Sequence, residues 1–198
     1  MSEGRRAPDP HRHLGRDTIR RMALVGLFLA LFLVASNAIP SFALVPGVPV
    51  TLQVLVVILA GALLGLPWGL AFLGMLFLMT LVGIPMMSGF RSGPAFFVGP
   101  TAGFVWGWIP LVVAAGLSRG VRKLNAWKDG AWFLGLALAG ILADYACGAA
   151  WLAHVGSKPF GPVMLSMGVF LPFDLAKAVL AWVVARRVRS AESKAWGG

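Results

Sequence analysis

Residues 50–83 read VTLQVLVVILAGALLGLPWGLAFLGMLFLMTLVG, thirty-four residues without one charged side chain. As a single helix this run would be about 51 Å long, far more than the ~30 Å of a bilayer's hydrocarbon core. As two helices it crosses a membrane twice, and every later segment changes side accordingly. The basic residues decide between the two. Arg5, Arg6, Arg12, Arg16, Arg20 and Arg21 precede the first apolar run; Arg119, Arg122, Lys123 and Lys128 fall between the middle runs; Arg186, Arg187, Arg189 and Lys194 follow the last. Those are fourteen of the seventeen Lys and Arg, so cytoplasmic retention of basic loops places all three clusters on one side. An even number of spans must separate each pair of clusters. Residues 50–83 therefore cross twice, with the turn expected at Leu66-Pro67-Trp68-Gly69, where Pro and Gly interrupt the helical pattern.

The remaining apolar runs complete six spans near 20–36, 50–66, 68–83, 99–118, 131–152 and 166–186. The expected fold is an all-α integral membrane protein with six transmembrane helices and both termini cytoplasmic: a basic tail at 1–19, a membrane domain at 20–190 and a short tail at 191–198. The outer connections 37–49, 84–98 and 153–165 carry only Arg91 and Lys158. A cleaved leader running from Arg20-Arg21 to Ser36-Asn37-Ala38 is the rival reading of the first span. Against it, Gly26 and Ala30 make a small-residue face suited to helix contact, within the chain or with a partner.

Composition agrees. The chain of 198 residues is 59% hydrophobic and 12% charged, with mean hydropathy +0.84. A water-soluble domain needs about a quarter of its residues charged to cover its surface. The net charge of +10 sits in the three clusters rather than in a stripe, which argues against a nucleic-acid partner. Cys147 is the only cysteine, so no internal disulfide or thiolate metal site is available, and it is expected to be a small buried residue. His11 and His13 lie in the basic tail without a third ligand, and His154 lies at an outer helix end; no metal site is expected. Neither HExxH nor a GxxxxGK[ST] phosphate loop occurs, so no enzyme is expected and ATP hydrolysis would have to come from another chain.

Ionisable groups inside a membrane are costly, which singles out Asp144, Asp174 and Lys177. With Arg186 at the inner edge of the last helix, Lys177 lies roughly 13–14 Å inward and Asp174 roughly 18 Å. Spaced i,i+3, they share one helix face. They make either a self-neutralising pair or a polar anchor for a solute, the reading preferred here, and Pro172 suits a helix start or a kink beside them. Asp144 has no assigned role. The segments VPGVPVTLQ (45–53) and IPMMSGFRSGPAFFVGPTAG (84–103) are too rich in Gly and Pro for helix and too apolar for free loops. They are expected to fold back over the anchor, where Arg91 is either solvated or a fork-shaped clamp for a carboxylate.

Four pieces occur in order: VPVTLQVLVVILAGALLG (48–65), Val82-Gly83-Ile84-Pro85, Gly99-Pro100-Thr101-Ala102-Gly103-Phe104 and Leu171-Pro172-Phe173-Asp174-Leu175-Ala176-Lys177. Together they resemble the BioY family, the biotin-specific S component of energy-coupling factor transporters, over about residues 20–190. The resemblance implies capture of biotin from outside, together with a transmembrane T component and two ATP-binding cassette subunits, and no cofactor. It also implies that Asp174 and Lys177 bind the biotin head and that Arg91 reaches its carboxylate. Thr51 and Gln53 match the family's first-loop motif, and the small-residue face of the first helix, here Gly26 and Ala30, meets the T component. Ala102 and Phe104 stand where the family's GPTGGY motif has glycine and tyrosine, which removes a hydroxyl but keeps an apolar wall. The chemistry is coherent: biotin has two ureido N–H donors around one carbonyl, an apolar thioether ring and a carboxylate tail. Asp174 can accept, Lys177 can donate, and aromatics such as Phe97 or Trp106 are expected to cover the ring. The alternative is a solitary vitamin transporter or facilitator, or an S component for another vitamin.

Overall fold

The computed structural model describes residues 10–37, 42–45, 48–120 and 125–196. Helix α1 runs from Pro10 to Asn37, so residues 10–19 of the expected basic tail continue the first span as helix. A two-stranded antiparallel hairpin follows, β1 (Phe42–Val45) against β2 (Val48–Val50), with Phe42 opposite Val50. Next come α2 (Gln53–Leu64), α3 (Leu66–Leu81) and, after irregular chain and a 3-10 turn at Pro94–Phe97, α4 (Ala102–Leu117). Helix α5 (Ala126–Val155) leads to the short α6 (Phe160–Ser166), a 3-10 turn at Met167–Phe170 and α7 (Leu171–Trp196).

The division of residues 50–83 is confirmed, but the turn comes earlier than expected. Gly65 alone separates α2 from α3, at φ 81°, a left-handed conformation that glycine adopts without penalty. Pro67 lies within the first turn of α3, where its missing N–H costs nothing. The chain truly reverses here. In one continuous helix Gly61 and Gly69 would be about 12 Å apart, yet a Cβ added to Gly69 would lie 3.2 Å from the Gly61 Cα. The carbonyls left over at the end of α2 are taken by arginines: Arg119 donates to Leu63 O, and Arg189 Nη2 donates to Ala62 O at 2.9 Å. Two members of the basic clusters thus close a helix end as well as marking a membrane side.

Among the described residues, three helical stretches, Asp17–Asn37, Trp127–Val155 and Phe160–Ala191, are long and apolar enough to cross a membrane by themselves. The others have 12, 16 and 16 residues, or roughly 18–24 Å. The count of six spans holds. Each short helix gives way at one end to extended or irregular chain, which is tolerated at membrane depth where it lines a cavity or is buried in protein. The hairpin β1–β2 that precedes α2 went unforeseen, because its prolines and glycine read only as irregular.

Helices α4 and α5 approach most closely, through small residues. A Cβ on Gly103 would lie 3.0 Å from the Gly148 Cα, one on Gly107 2.8 Å from the Asp144 Cα, and one on Gly140 3.1 Å from the Leu111 Cα. Gly103 and Gly107 form a G-x-x-x-G pair on α4 that meets positions 148 and 144 of α5, also four apart, and Gly140 one turn further on meets Leu111. Cys147 is exposed, contrary to expectation. The inward face of α5 runs through Phe133, Ala137, Ile141, Tyr145 and Ala149, and position 147 points out of the bundle, where a small apolar side chain is equally at home.

Candidate functional site

The Asp174–Lys177 pair forms as the i,i+3 spacing predicts. Asp174 and Lys177 lie one turn apart on α7, with Lys177 Nζ 2.7 Å from Asp174 Oδ1. The other carboxylate oxygen, Oδ2, accepts a hydrogen bond from the Tyr145 hydroxyl on α5 at 2.5 Å. Asp174 is therefore held from two helices, and both it and Tyr145 are buried. Tyr145 went unnoticed in the sequence, although it is the only tyrosine and adjoins Asp144 in an apolar run. The helix start considered at Pro172 is not a free end. The chain turns 3-10 at Met167–Phe170 and passes directly into α7 with Leu171 already in helical dihedrals, so the missing N–H is absorbed without a break.

The expected loops fold over this pair. Thr51 Oγ1 donates to Gln53 Oε1 at 3.0 Å, and Gln53 Nε2 donates to Ser36 Oγ at 3.1 Å. Met87 and Arg91 pair as a small bridge, N to O 3.1 Å and 3.3 Å, around a tip in which Gly89 and Phe90 have φ 72° and 54°. The Asn37 Oδ1 atom accepts from Phe90 N at 2.8 Å and pins this tip to the end of α1. Ser36 and Asn37, which the sequence marks only as the edge of a span, thus tie α1 to both loops. Within the tip, Arg91 Nε donates to Ser88 O at 2.9 Å, and its guanidinium carbon lies 5.2 Å from the Phe96 ring centre.

Thr51, Gln53, Arg91, Asp174 and Lys177 all border one cleft, which encloses about 750 Å³ with its open mouth included. Its apolar walls are Phe96, Phe104, Trp108 and Phe170, with Tyr145 beside the anchor. Phe97 and Trp106, expected to cover a ligand ring, are elsewhere. They pack edge-on or tilted against each other and against Phe77 at 5.5–5.7 Å between centres, and Trp106 is exposed. Two positions along a helix turn a side chain by about 200°, so Phe104 and Trp108 face the cleft while Trp106 faces away. Asp144 also lines the cleft; it is 3% exposed and its Oδ1 has no hydrogen-bond partner. Chemically, this arrangement offers paired carboxylate and ammonium groups among aromatic walls, with a guanidinium on the covering loop.

Gly116-Leu117-Ser118-Arg119-Gly120 has the spacing of a nucleophile elbow, G-x-S-x-G. That device needs a strand before the serine. Here Ser118 ends helix α4, is 2% exposed, and donates its hydroxyl to Ala115 O at 2.6 Å. It is a helix-end residue at the Arg119–Arg189 cap.

The sequence pattern that defines the BioY family matches residues 9–194. The chain belongs to the BioY family. It is 40% identical over 180 residues to the biotin transporter BioY of Rhodobacter capsulatus, covering 85% of this chain and 93% of that protein. It is 36% identical over 177 residues to the biotin transporter BioY of Rhizobium etli, covering 85% and 92%. Its fold superposes on the crystal structure of the S component for biotin from an ECF-type ABC transporter with a TM-score of 0.79. That match has 25% sequence identity and covers 93% of this chain and 95% of the other.

Proposed function

We propose that this BioY-family chain captures biotin from outside the cell as the S component of an energy-coupling factor transporter in the bacterial cytoplasmic membrane. One observation supports it above the rest: a single cleft joins the Asp174–Lys177 pair to Arg91 across aromatic walls. A ureido ring needs acceptors and a donor at one end, the thioether ring needs an apolar wall, and the valerate tail needs a cation. Asp174 accepts from a ureido N–H, Lys177 donates to the carbonyl, and Phe104, Trp108 and Phe170 enclose the ring system. Arg91 takes the carboxylate, and Thr51 and Gln53 shape the mouth. A T component and two ATP-binding cassette subunits supply the energy, and Gly26 and Ala30 form the face that meets the T component.

Calorimetry of the detergent-purified chain tests the binding reading and separates the two ends of the ligand. Wild type binds biotin and discriminates against a biotin amide. Arg91→Ala loses affinity for biotin by ~1.5–3 kcal/mol, the worth of a hydrogen bond to a charged group, and much less for the amide. Equal losses for both ligands assign Arg91 to loop folding; no binding of biotin by wild type rejects the function.

The orientation has its own test. Reporter fusions at the N-terminus, Gly120 and Gly198 report cytoplasm, and fusions near Ser92 and Ser157 report the outside. An external signal at Gly120 sinks the parity argument.

A further inference from the structure

We propose that Asp144 contacts the ligand directly, accepting a hydrogen bond from a ring N–H of the bound molecule and so helping to set specificity; this rests on the biotin reading above. Asp144 borders the same cleft as Asp174 and Lys177, is 3% exposed, and leaves Oδ1 buried without a partner. A buried carboxyl oxygen without a donor is unfavourable, and a side chain kept solely for packing would be served better by an apolar residue of the same size. The neighbouring acid is in the opposite condition. Asp174 already accepts from Lys177 at Oδ1 and from Tyr145 at Oδ2.

A ligand whose ring has two N–H groups flanking one carbonyl brings two donors and one acceptor to this end of the cleft. Lys177 serves the carbonyl. Asp174, with a lone pair still free on each oxygen, serves one N–H, and Asp144 serves the other. The packing around Asp144 fits this role. It lies on the face of α5 that meets Gly107 of α4, and a Cβ at 107 would strike Asp144 Oδ1. Glycine there makes room for the carboxyl at the edge of the cleft, and the close α4–α5 contact holds its backbone in place. A ring lacking the second N–H leaves Asp144 unmatched in the complex, and is rejected for that reason.

The test pairs side-chain and ligand changes in the purified full-length chain. Calorimetry uses biotin and two derivatives, each carrying a methyl group on a different ureido nitrogen. In wild type, one derivative binds about tenfold to a hundredfold more weakly because its donor to Asp144 is gone. Asp144→Ala weakens biotin by a similar factor and removes most of that derivative's penalty, since neither acceptor nor obstruction remains. Asp144→Asn keeps the shape, replaces one carboxyl oxygen with an amide nitrogen that donates rather than accepts, and shows an intermediate loss with a reduced penalty. A methylation penalty of the same size in wild type and in both variants overturns the proposal and leaves the biotin reading standing. So does wild-type biotin affinity in either variant. If Asp144→Ala does not fold, the Asp144→Asn penalty decides by itself. Failure of wild type to bind biotin overturns both readings together.

Discussion

Asp174→Ala weakens biotin binding by about 2 kcal/mol or more, at least roughly thirtyfold. The substitution does more than remove one ligand acceptor. It takes away the partner of Lys177 Nζ at 2.7 Å and of the Tyr145 hydroxyl at 2.5 Å, leaving a cation and a hydroxyl among buried neighbours. Breaking a buried pair from one side costs more than the pair is worth, because the surviving charge stays desolvated. Lys177→Ala breaks the same pair from the other side: Asp174 loses its ammonium partner and the ligand carbonyl its donor, but the carboxylate keeps the Tyr145 hydrogen bond, so less is left unpaired. Its loss of affinity is accordingly smaller, and it lowers thermal stability less. Calorimetry and thermal unfolding on the same preparations separate the two contributions. Wild-type affinity in both variants reduces the pair to a structural role and rejects the site.

The parts legible in the sequence are those written in charge and in helix period. Six spans followed from where the arginines stand, and the Asp174–Lys177 face followed from i,i+3 spacing. The turn between α2 and α3 was misplaced by a few residues because Pro67 is a strong interrupter on paper. The interruption that matters is the positive φ of Gly65, and a helix accepts proline in its first turn. Other parts of the site depend on contacts between segments far apart in the chain. Tyr145 joins the anchor across 29 residues, and Asn37 holds the Arg91 loop across 53. No local pattern marks either. The aromatic walls failed for a different reason: choosing among Phe97, Phe104, Trp106 and Trp108 needs the rotational phase of α4, which an all-apolar helix does not display. The close α4–α5 contact was legible as G-x-x-x-G at 103–107 and was passed over in favour of Gly26 and Ala30.

Gly26→Leu or Ala30→Leu abolishes ATP-driven biotin uptake and lowers co-purification with the T component by at least about tenfold, the equivalent of ~1.4 kcal/mol. The fold leaves one side of α1 uncovered. Val25, Phe28, Leu29 and Phe32 are buried against the bundle, whereas Met22, Leu27, Leu31 and Val34 are exposed. Gly26 and Ala30 are also exposed, and a Cβ added to Gly26 meets nothing within 4 Å. The alternative left open by the sequence, that this small-residue face packs inside the chain, therefore fails at Gly26. Leucine fits there without displacing any part of the fold, so biotin affinity and thermal stability of the isolated chain stay at wild-type values. In an assembled transporter the same leucine stands between two helices that must approach closely, because apolar helices in lipid gain little from burial and depend on tight packing. The far end of α1 holds Gln53 through Ser36 and the Arg91 loop through Asn37, so binding measured on the same variants reports whether a change at position 26 or 30 reaches the cleft. Binding intact with uptake lost assigns the face to the partner. Uptake and co-purification unchanged in both variants discards it.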